Sequence, residues 1–81
     1  MKEPDLEKRL EEETQKWLDK IDTVKIYPTG SKISKDFVEN IRAYIKDSRY
    51  FLAEGELVEA FEAIIWAWSW YEIGKEFDVL R

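Results

Sequence analysis

The chain contains no cysteine and no histidine. Without cysteine there is no disulfide, no thiolate metal site and no thiol nucleophile; without histidine there is no imidazole base and no imidazole ligand. Most catalytic templates are thereby removed. Long apolar runs are also missing: none approaches the roughly 18 to 20 residues needed to span a bilayer. The opening MKEPDLEKRLEEE has no apolar stretch of the secretory kind, so the expected compartment is the cytoplasm. Single copies of Met, Asn and Gln beside abundant Glu and Lys give a thermophile-like bias. A net charge of −5 opposes the counterion release that drives nucleic-acid and anionic-membrane binding, so neither partner is expected.

What remains is 81 residues, 44% apolar and 38% charged, which is one domain because so short a chain cannot build two cores. Charge is unevenly spread. Residues 1 to 25 hold 6 basic and 8 acidic groups, residues 26 to 50 hold 5 and 3, and residues 51 to 81 hold 2 and 7. An acidic last third beside a mildly basic middle lets segments of one chain attract each other.

No period-two pattern of useful length appears, and three helical segments account for nearly everything, which predicts an all-α three-helix bundle. The first helix is expected over about 4–25. Pro4 suits its opening turn, and Leu6, Leu10, Trp17, Leu18, Ile21 and Val24 form one apolar face, with Thr14 in the gap. Tyr27-Pro28-Thr29-Gly30-Ser31 reads as a loop. Ser34 is the expected N-cap of a second helix over about 34–54, with Ile33 stapled onto Val38 and Phe37, Ile41, Tyr44, Ile45, Ser48, Phe51 and Leu52 inside. Gly55 then ends that helix in a left-handed conformation, and so short a connection makes helices two and three an antiparallel hairpin.

The third helix, about 56–77, carries three rows. Projection at about 100° per residue puts Leu57, Phe61, Ile64, Trp68 and Tyr71 on a core stripe. Beside it Ala60, Ala63, Ala67 and Gly74 form a groove narrow enough to admit helix two closely. Nearly opposite the core stripe lies a second apolar row, Trp66, Trp70, Ile73 and Phe77, that a three-helix bundle does not require. Two readings of that row stand. It is an interface, most simply with another copy, because contiguous aromatic patches mark contacts; or it is covered within the chain, by helix one or by Val79 and Leu80.

The run DSRYFLAEGELVEAFEAIIWAWSWYEIGKEFDVL, through Asp47, Tyr50, Phe51, Leu52, Gly55, Ala60, Phe61, Glu62, Ala63, Ala67 and Gly74, resembles the archaeal family catalogued as domain of unknown function 357. The resemblance implies a compact helical bundle in an archaeal setting and no activity. It departs from the family pattern at Trp68 and Trp70. The same stretch also looks like one tetratricopeptide-type hairpin, which keeps peptide binding as an alternative, although one unit cannot form a concave array.

Carboxylates are the only catalytic chemistry left. Glu59 with Glu62, and Asp36 with Glu39, have the one-turn spacing by which helical pyrophosphohydrolases hold Mg²⁺, so a metal-dependent hydrolase is the runner-up. The hairpin, however, places Asp36 near the far end of helix three from Glu59. No catalytic, metal or cofactor residue is therefore assigned, and a non-enzymatic interaction module is expected. Lys35, Arg42, Lys46 and Arg49 form a basic stripe expected to pair with Glu54, Glu62 and other acids of helix three, and Asp47 is expected to make a buried hydrogen bond.

Overall fold

The computed structural model describes the backbone of residues 3–81 and the side chains from Asp5 onward, so the ring of Pro4 lies outside the described residues. Three helices follow one another: α1 Glu3–Ile21, α2 Lys32–Ala53 and α3 Leu57–Glu76. The only strand-like feature among the described residues is an isolated antiparallel bridge between Pro28 and Leu80. The bundle is elongated, 48 × 20 × 17 Å, with α3 packed against both other helices and α1 touching α2 least.

α1 stops at Ile21, short of the expected residue 25. Its last turn tightens, with Thr23 and Val24 donating backbone hydrogen bonds to Lys20 and Ile21, while the Thr23 hydroxyl also donates to the Lys20 carbonyl at 2.7 Å. These bonds satisfy the orphan carbonyls that a longer helix would have used. Val24 and Ile26 turn back onto the core from the loop.

α2 begins two residues earlier than expected, because Ser31 and not Ser34 is the cap. Ser31 has extended backbone, and its hydroxyl accepts from Ser34 N–H at 3.1 Å. Ser34 is fully buried; its hydroxyl donates to the Ser31 carbonyl and accepts from Gly30 N–H. Two serines thus close one cap between them. Ile33 does not staple onto Val38: it is 61% exposed while Val38 is buried.

Gly55 links α2 to α3 with φ +78°, a conformation in which a Cβ is strained although nothing lies within 4 Å of where it would stand. Replacing Gly55 with alanine should therefore lower stability by about 1 kcal/mol through backbone strain alone, read as a lower urea midpoint with an unchanged slope. A raised midpoint would show that the turn does not depend on this conformation.

Leu18, Ile21, Ile41 and Ile64 are the large apolar side chains buried to 2% exposure or less, each contributing on the order of 1.5 to 3 kcal/mol. Around them the small row of α3, Ala60, Ala63, Ala67 and Gly74, is buried along its length. Leu57, Phe61, Trp68 and Tyr71 are only half-buried, because α1 covers them less closely than α2 covers the small row. That close approach of α2 is visible in the buried Ser48 hydroxyl, which donates to the Ala60 carbonyl at 2.7 Å. α1 is held instead by Trp17, set edge-on to Trp68 at 5.6 Å, with the Trp68 indole donating to the Trp17 carbonyl.

The C-terminal segment also packs inward. Val79 and Leu80 donate to the Gly74 carbonyl, Arg81 donates to the Tyr27 carbonyl, and Leu80 is buried against Gly74. A Cβ on Gly74 would stand 2.7 Å from Leu80 Cγ and 3.2 Å from Phe37, so this glycine is where the tail and α2 both meet α3.

Candidate aromatic interface on helices two and three

The α3 row lies beside the groove that α2 fills, and its members differ by how far round the helix they stand. Trp70 is nearest α2: it is half-buried, edge-on to Phe37 at 4.7 Å. Its indole nitrogen is buried without an acceptor among the described residues. Trp66, Ile73 and Phe77 stand farther out and are 56%, 48% and 72% exposed. Tyr44 of α2 stacks on Trp66 with ring centroids 6.2 Å apart and planes 20° from parallel, widening the patch across both helices. Ile33 extends the same side of α2, since an antiparallel register that sets Phe37 at Trp70 carries Ile33 toward Phe77.

Neither intrachain cover described above is in place. α1 meets α3 on the Trp68 side through Trp17, and Leu80 turns into the Gly74 contact, leaving Ile73 and Phe77 outward. The spacing 66, 70, 73 and 77 repeats as four, three, four, the interval at which one helix presents a continuous seam to another. No charge interrupts that seam; acids flank its start at Glu59 and Glu62.

The remaining sequence candidates separate. Asp36 pairs with Lys32 at 3.4 Å, and Phe37 against Trp70 and Gly74 fixes Asp36 at the opposite end of α3 from Glu59. Among the described residues no three potential ligands gather for a metal. The basic stripe does not pair with acids of α3. Arg49 instead binds Asp22, at the end of α1, at 2.6 Å, while Lys35, Arg42 and Lys46 have no carboxylate within 4.0 Å among the described residues. Asp47 is exposed, and the buried hydrogen bond belongs to its neighbour Ser48. Tyr44 was not read from the sequence as part of the aromatic row. Its signal was present, since it lies on the same α2 side as Phe37, one heptad on.

Comparison with known proteins gives two findings. The family model described as "Protein of unknown function (DUF357)" matches residues 9–80. The crystal structure of protein AF1782 from Archaeoglobus fulgidus, itself assigned to that family model, is 47% identical in sequence. It superimposes with a TM-score of 0.84 over 94% of this chain and 96% of that one. No curated protein matches the chain. No helix among the described residues is long and apolar enough to cross a membrane.

Proposed function

The chain belongs to the DUF357 family, and from its own surface we propose that it is a non-catalytic assembly module that pairs with a second copy of itself through the aromatic seam of α3. The observation that carries this reading is the contiguous outward apolar surface formed by Trp66, Ile73 and Phe77 and widened by Tyr44 and Ile33. Water is a poor neighbour for such a patch, and burying it releases on the order of 25 cal/mol per Å² of apolar area. The occupant is a second copy because the seam is self-complementary. An antiparallel two-fold centred between Trp70 and Ile73 sets Trp66 of one copy beside Phe77 of the other. One operation matches aromatic with aromatic along the seam.

The absence of native cysteine makes a direct test simple. In an Ile73→Cys variant the two introduced thiols lie next to the two-fold axis, so a short bifunctional maleimide should join two chains efficiently at concentrations where a Lys35→Cys variant stays monomeric. Lys35 lies on the opposite side of α2. Equal, weak cross-linking at both positions would overturn the reading.

A further inference from the structure

A groove of about 470 Å³ opens where the end of α1 and the following loop cross the middle of α2. It lies on the side of α2 away from Tyr44 and Phe37, so pairing through the aromatic seam leaves it open. Three cations of α2 line it, Arg42, Lys46 and Arg49, and the loop adds Lys25 across the gap. Asp22 is the single carboxylate among the lining residues. In a chain of net charge −5, this groove holds a local excess of three positive charges. Like charges so gathered repel one another, and nothing in the bundle requires the arrangement: Arg42 and Lys46 have no ion-pair partner among the described residues.

The groove is also organised beneath its charges. Arg49 is fixed by its 2.6 Å bond to Asp22, which orients the guanidinium while leaving other N–H groups unused. The floor is apolar, made by Ile21, Val24 and Ile45. Tyr27, 52% exposed, stands at the rim, and its backbone is clamped because Arg81 N–H donates to its carbonyl at 3.0 Å. A volume of this size suits a small ligand, and the combination of fixed cations, an apolar floor and an exposed ring suits one with two chemically different ends.

We infer that this groove binds an organic polyphosphate of the nucleotide class. The phosphate chain lies among Lys25, Arg42, Lys46 and Arg49, where charge-assisted hydrogen bonds are strongest. The ring lies over the apolar floor against Tyr27. The inference does not rest on self-association, since the two surfaces share no residue.

Calorimetric titration of the full chain with ATP, inorganic tripolyphosphate and adenosine, at low and at high salt, tests it. ATP should bind more tightly than tripolyphosphate, adenosine should bind least, and added salt should weaken ATP because the cations are exposed. The double variant Arg42→Gln with Lys46→Gln should weaken ATP by about tenfold or more, since each lost bond is made to a charged group. Its circular dichroism should be unchanged, as both side chains are exposed. Tyr27→Ala should weaken ATP and leave tripolyphosphate as it was. Amide shifts on ATP addition should fall within residues 21–27 and 42–49. Each of the following would overturn the inference: no ATP binding by the wild type, equal binding by the double variant, tripolyphosphate as tight as ATP, or a single-stranded RNA oligomer bound far more tightly than ATP.

Discussion

Replacing Ala67 with leucine should destabilise the bundle by about 1 to 3 kcal/mol, near the upper end. Ala67 is wholly buried within the row of small residues on which α2 rests. One turn away along α3, at Ala63, and two turns away, at Ala60, the same row is buried, and Ser48 reaches across from α2 to the Ala60 carbonyl. Three added carbons have no space there, so α2 must move outward. That movement would also stretch the Ser48 bond and leave a buried hydroxyl without its partner, adding to the loss. Urea unfolding followed by circular dichroism reads the effect as a lowered midpoint. A midpoint equal to the wild type would mean that the row faces solvent, in conflict with the fold described above.

The second large effect concerns association. Trp66→Lys combined with Phe77→Lys, which sets like charges against each other across the two-fold, should leave helicity and the thermal transition of the monomer nearly intact, because both side chains are more than half exposed and neither fills the core. Pairing of two copies should weaken by about 2 kcal/mol or more for each anchor lost, the range found for large aromatic residues at the centre of an interface. Trp70 is unsuitable for this purpose. It is half-buried against Phe37, so a charged replacement would disturb the bundle as well as the seam. Loss of cooperative melting in the Trp66/Phe77 variant would assign these residues to the fold and remove the basis of the interface.

Much of the architecture was legible in the sequence because helical periodicity and turn residues act locally. The three rows of α3 follow from spacing alone, and Gly55 between two apolar-periodic segments marks a turn with positive φ. What the sequence hid depended on competition between similar local solutions or on distant contacts. Ser31 and Ser34 are both acceptable caps, and the choice is made by Gly30, whose N–H the Ser34 hydroxyl accepts. α1 ends early because Val24 and Ile26 find burial by leaving the helix, a tertiary gain that periodicity does not report. Charge tallies suggested that the α2 stripe would meet the acids of α3, yet Arg42, Lys46 and Arg49 line the groove at the end of α1, and of the stripe only Arg49 finds an acid, Asp22. For the aromatic row the sequence left two readings, since the path of α1 depends on Trp17 meeting Trp68 and the path of the tail on Gly74 admitting Leu80. Both are contacts between residues far apart in the chain.

The central claim is that the α3 seam joins two copies of this chain. Sedimentation velocity of the wild-type protein over a wide concentration range tests it most directly, with the Trp66→Lys, Phe77→Lys variant run beside it. The account predicts a wild-type coefficient that rises with concentration from monomer to dimer and stops there, and a variant that remains monomeric throughout. A wild-type protein that sediments as a monomer at every concentration, or a variant that dimerises as readily as the wild type, would contradict it.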